Sequence, residues 1–129
     1  MINDFDQTDI ETLIGDKVRE LGVSSHVFPN RPRSSDKNLK DFVVCRVTGG
    51  VNDLAALGRC TVSVSLFAQD VANMKNSKKL SVMQKKLEHL PLWIEPLLID
   101  GQPRILGDTA DGNGYHARII NFKVYIKAV

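Results

Sequence analysis

Between Gly107 and Ile126, "GDTADGNGYHARIINFKVYI", three oxygen-bearing side chains stand close together: Asp108, Asp111 and Asn113. Gly112, Gly114 and Ala117 also match the G-x-G-x-x-[GA] spacing of a dinucleotide-binding turn. Such a turn works only between a strand and a helix, because the free N–H groups of the helix bind the pyrophosphate. Here the glycines are followed by a strand pattern, with Ile120, Phe122, Val124 and Ile126 alternating against Asn121, Lys123 and Lys127. No helix opens at Gly114, so the phosphate reading fails. A calcium loop fails as well. It needs oxygen ligands at its first, third and fifth positions, glycine at the sixth and glutamate at the twelfth. With Asp111 and Gly112 as fifth and sixth, Gly107 stands first and Arg118 twelfth. The glycines are read as positive-φ turn positions and the aspartates as holders of local turns.

Other chemistries find little support. His26, His89 and His116 are scattered, with no H-x-x-x-H or C-x-x-C beside them, so zinc has no ligand set. Cys45 and Cys60 fall in strand-like runs and read as buried free thiols of a protein made in a reducing cytosol. No G-x-S-x-G elbow marks a nucleophile. Aromatic content of 6% is low for a surface that stacks single-stranded bases, and Trp93 reads as a core or interface anchor.

The elements that must position these residues follow from periodicity. Thr8 and Glu11 match a helix capping box, Ile10, Leu13, Ile14, Val18 and Leu21 share one face, and Gly22 is a left-handed stop. Residues 25–28 read as a short strand. Residues 42–48 and 59–68 are strands, the second with Cys60, Val62, Val64, Leu66 and Ala68 on one face and Thr61, Ser63 and Ser65 on the other. A second helix carries Leu80, Met83, Leu87 and Leu90, begins between Val71 and Ser77 and ends before Pro91. Residues 97–99 and 102–106 read as a hairpin across Asp100-Gly101, with Pro103 pushing its second strand toward an edge. The result is a single α+β domain of 129 residues in the order α-β-β-β-α-β-β-β, a mainly antiparallel sheet flanked by two helices.

Two loops stand out. Residues 29–41, "PNRPRSSDKNLKD", carry Arg31, Arg33, Lys37 and Lys40 on almost no apolar background, and the segment is expected to be ordered by a partner. Residues 49–58, "GGVNDLAALG", hold Val51, Leu54 and Leu57, which need either the domain's own core or a neighbouring subunit. Net charge of +2 does not mark a nucleic-acid binder, but its distribution is uneven. Residues 1–22 carry six acids and two bases, whereas residues 71–90 carry five lysines, among them Lys78, Lys79, Lys85 and Lys86, against Glu88 alone. Opposed charges of this kind suit two helices side by side, or one subunit meeting the next. The acidic start shows no secretory signal, and no run approaches a membrane span.

Three stretches together resemble the tail terminator (tail completion) proteins of tailed bacteriophages. These are "TDIETLIGDKVREL" leading to "VFPNRP", the strand and basic helix of "RCTVSVSLFAQDVANMKNSKKLSVMQKKLEHL", and "DTADGNGYHARIINFKVYIKA". The similarity spans nearly the whole chain and is one of pattern and element order. It implies a structural virion protein, made in the host cytoplasm, that assembles as a homo-oligomeric ring, a hexamer, at the head-proximal end of the tail. The tail tube protein and a head-tail connector or neck protein are the implied partners, with DNA passing through the lumen unread. No catalysis and no cofactor or metal are implied. The candidate interface or lumen residues are then Arg31, Arg33, Lys37, Lys40, Val51, Leu54, Leu57, Lys78, Lys79, Lys85 and Lys86. Another neck ring protein, or a small nucleic-acid-binding module, is the alternative.

Overall fold

A computed structural model of the chain describes residues 7–29, 39–48 and 57–127. Two helices and eight strands follow in the order α1 (Gln7–Glu20), β1 (Val27–Pro29), β2 (Asp41–Val47), β3 (Leu57–Gln69), α2 (Ser77–Leu87), β4 (Trp93–Ile94), β5 (Leu97–Ile99), β6 (Arg104–Ile105), β7 (Thr109–Ala110) and β8 (Tyr115–Lys127). The expected order holds through α2, after which β4 and β7 are two further short strands. All strands join one sheet, β1-β2-β3-β8-β5-β4, with β6 and β7 also on β8. Every pairing is antiparallel except β1 with β2. The chain is a single-domain α+β fold, as its periodicity indicates.

The long strands follow from their alternation. β3 places Cys60, Val62, Val64, Leu66 and Ala68 on one buried face, and β8 sets Val124, Phe122 and Ile120 opposite the first three and Arg118 and His116 opposite the last two. Both helices cover this face. Ile10, Ile14 and Val18 of α1 and Leu80, Met83 and Leu87 of α2 share a core with Val43, Cys45 and Val47 of β2 and the inward side chains of β3 and β8. Each such side chain removed from water contributes about 1.5–3 kcal/mol. Gly22 ends α1 at φ 75°, and Asn76 opens α2 by accepting the Lys79 N–H at 3.2 Å.

Four local readings need correction. Thr8 lies inside α1 rather than before it, and Glu11 does not close a capping box. Its Oε2 accepts the Val47 N–H at 2.8 Å, so a buried carboxylate ties α1 to the end of β2. The first strand is Val27–Pro29 rather than residues 25–28, and its parallel pairing to β2 accounts for the length of chain between the two strands. Parallel neighbours need a crossover of a dozen residues or so, since the chain must return to the starting end. The hairpin expected at Asp100-Gly101 is also absent. A two-residue turn of the favoured type needs positive φ, which among the described glycines only Gly22, Gly112 and Gly114 adopt. Instead β5, β6 and β7 lie in succession along β8, and Asp100 after β5 still donates its N–H to the Lys123 carbonyl of β8. The real hairpin is the glycine-rich turn itself. Asp111 Oδ1 accepts the N–H groups of Asn113 and Tyr115, at 2.7 and 3.1 Å, between β7 and β8. The aspartate reading of Asp111 is right and that of Asp108 is not, as shown below.

Cys45 and Cys60 are buried free thiols. Burial, with the Glu11 charge adding to it and Arg19 opposing, pushes Cys45 up to about 12. Burial alone pushes Cys60 up to about 11. At pH 8 both should therefore resist a thiol-specific reagent in the folded chain and react fully in denaturant. Stoichiometric labelling of the native protein within minutes would contradict this placement.

Candidate functional site

The described polar side chains that converge most closely form a support for α2. Arg118 stands on β8 in the same phase as Ile120 and Phe122, so its side chain points to the helix-covered face. It donates to both carboxylate oxygens of Asp108, at 2.7 and 2.9 Å, and also to Gln84 Oε1 and Ser81 Oγ of α2. Lys75 reaches Asp108 Oδ2 at 3.2 Å from just before the helix. The Arg118 guanidinium holds the Asp108 carboxyl below the usual carboxylate range, with Lys75 assisting and burial opposing. Every described buried side-chain polar atom has a partner. This network is saturated by its own groups and leaves no carboxylate poised as acid or base. It fixes α2 on the sheet. Next to it, His116 Nδ1 lies 2.7 Å from Asp70. Among the described residues no group of three or more His, Cys, Asp or Glu is placed to hold a metal ion.

The surfaces at the two ends of α2 differ in kind. Before the helix, Val71 and Met74 exchange two backbone hydrogen bonds, at 2.9 and 3.0 Å, around Ala72 and Asn73. Both central residues have positive φ, 52° and 62°, which defines a tight hairpin turn. Residues opposite each other in an antiparallel bridge point to the same side, so Val71 and Met74 stand together. They are 62% and 70% exposed. Beside the C-terminal half of α2, between it and β5, β6 and β8, lies a cleft of about 380 Å³. Leu87, Leu90, Ile99 and Phe122 form its buried walls, Leu92 and Ile105 its exposed rim, and Glu88 its acidic margin.

The sheet face opposite the helices has its own layout. Phe42 stacks on Phe67 at 4.4 Å, with Phe28 and Tyr115 against Phe42. A depression of about 290 Å³ beside this cluster is lined by Val44, Arg46, Thr48, Ser63, Ser65, Phe67 and Ile119. Ser63 donates to Asn121 at 2.7 Å within that surface. Farther along, Arg59, Tyr125, Leu98 and Trp93 form one row across β3, β8, β5 and β4. Trp93 is 64% exposed on the outermost strand, so of its two expected roles the core one is excluded.

The residues singled out by sequence are not brought together. Arg31, Arg33, Lys37, Val51 and Leu54 lie outside the described residues. Leu57 opens β3 opposite Lys127, and Lys40 is exposed before β2. Of the four helix lysines, two are engaged within the chain: Lys79 pairs with Asp41 at 3.2 Å, and Lys86 donates to the Gly22 carbonyl. Lys78 and Lys85 are exposed on α2 and make no ion pair among the described residues. Asp41 belongs to β2 and the Gly22 partner is a backbone carbonyl, so neither contact pairs a lysine of α2 with an acid of α1. Sequence reasoning missed Arg118 and the Val71–Met74 turn. The signal for the first was a charged residue in the apolar phase of a strand, and for the second two apolar residues flanking an alanine-asparagine pair ahead of a helix.

No protein-family model matches the chain, and no curated protein matches it.

Proposed function

We propose that this chain is a structural ring subunit that closes the tail tube of a tailed bacteriophage at its head-proximal end. Its partners on that reading are further copies of itself, the tail tube protein and a connector or neck protein, with DNA passing through the lumen. The observation that carries the reading is the separation of the exposed apolar residues. Val71 and Met74 precede α2, Leu92, Trp93, Leu98 and Ile105 follow it, and Val82 alone of the described ones stands on the helix between. A ring needs two different surfaces on each subunit, since identical patches give a closed pair. The whole-chain likeness of sequence pattern to tail terminator proteins adds the hexamer and the position on the tail. A nucleic-acid-binding helix is less well supported, because Lys75, Lys79 and Lys86 are held in contacts within the chain.

Co-sedimentation with purified, uncapped tail tubes tests this reading. The chain is expected to pellet with the tubes to a small saturating amount set by the number of tube ends. Binding instead to free duplex DNA, falling steeply with salt, would favour a nucleic-acid module.

A further inference from the structure

We infer that the Val71–Met74 turn of one subunit seats in the cleft beside the C-terminal half of α2 of a second copy of this chain. The inference rests on the ring reading and specifies its contact. The turn is built to present its side chains. Alanine is uncommon at positive φ, and Ala72 adopts it beside Asn73, with two backbone hydrogen bonds closing the turn. The strained pair displays Val71 and Met74 side by side in water, with nothing of the described chain over them. A turn whose backbone is already fixed loses little backbone freedom on docking.

The cleft has the complementary character. Its walls are apolar, its rim residues Leu92 and Ile105 are 53% and 50% exposed, and its volume of about 380 Å³ accepts a pair of side chains. Methionine suits such a site, since its unbranched thioether adapts to irregular apolar surroundings. Charge agrees as well. Lys78, one turn after Met74 and without an ion pair among the described residues, accompanies the projection, and Glu88 borders the cleft. Of the seven large apolar residues exposed among those described, four belong to these two surfaces. The projection stands before the first turn of α2, and Gln84, Leu87 and Glu88 at its other end line the cleft, so the two surfaces belong to opposite ends of one helix. One subunit can therefore use both at once, which makes the contact head-to-tail rather than reciprocal.

The test uses two full-length variants, Met74→Cys and Ile105→Cys, mixed at about 100 µM with a short bis-maleimide. The native cysteines are buried, so the new ones dominate the reaction. A covalent dimer should form in the mixture at about tenfold the yield of either variant alone. Val71→Cys with Leu92→Cys should repeat the result, and circular dichroism checks that each variant is folded. Dimer from Met74→Cys alone would mean a reciprocal contact and would overturn the inference. No dimer in either mixture would overturn it too. Tube binding by the wild-type chain would then leave the ring reading standing and assign the cleft to another partner, whereas loss of both would end both.

Discussion

Replacing Arg118 with alanine should destabilise the folded chain by about 3 kcal/mol, lowering Tm by about 10 °C. The guanidinium is the centre of the network. Its loss leaves Asp108, with a side chain 8% exposed, with only Lys75 as counter-charge, and takes from Ser81 and Gln84 the donor they share. Removing one member of a buried ion pair costs more than the pair contributes, because the remaining charge keeps its desolvation penalty. The pH dependence has a definite sign. Asp108 is held below its unfolded value of about 3.9, so it binds fewer protons in the folded state. Its stabilisation is complete above that value and is lost as pH falls through the folded one. Wild-type stability should therefore fall between pH 5 and the acid limit more steeply than that of Asp108→Asn. Thermal unfolding across that range checks both statements. An Arg118→Ala chain as stable as wild type would remove the network from any role in holding α2.

Glu11→Ala should cost about 2 kcal/mol, because it leaves the Val47 N–H without its acceptor at a buried position. Glutamine retains a carbonyl oxygen at nearly the same reach, so Glu11→Gln should recover more than half of the loss. A helix-propensity effect would not behave this way, since alanine is the better helix former. The local readout is amide exchange, with the Val47 N–H accelerated in the alanine variant and protected again in the glutamine one. Equal exchange in all three proteins would contradict the tie between α1 and β2.

Both residues show where sequence reading stops. The buried stripe of α1 and the alternation of β3 and β8 were legible because neighbours along the chain define them. Glu11 carried a familiar local motif, yet its partner is Val47, across the core. Arg118 needed Asp108 and α2 in place before it became a support rather than an odd charge in a strand. The residues 97–106 hairpin failed for a similar reason. Asp100-Gly101 favours a turn locally, but the long edge of β8 pairs with β5 and β6 separately and takes up their hydrogen bonds. The long basic segment was read for its charge, while the parallel β1–β2 pairing requires its length. The candidate surfaces at the ends of α2 are apolar and irregular, so no spacing announced them, and the lysines that spacing did announce are half occupied within the subunit.

The central claim is that copies of this chain close a ring on the tail tube. Electron microscopy of purified uncapped tubes incubated with the chain tests it most directly. End-on averages should show six subunits around an open lumen at one end of each tube, a mass of about 86 kDa for copies of 14.3 kDa. Tubes whose ends stay bare at saturating protein, or that carry single subunits without rotational symmetry, would contradict the account.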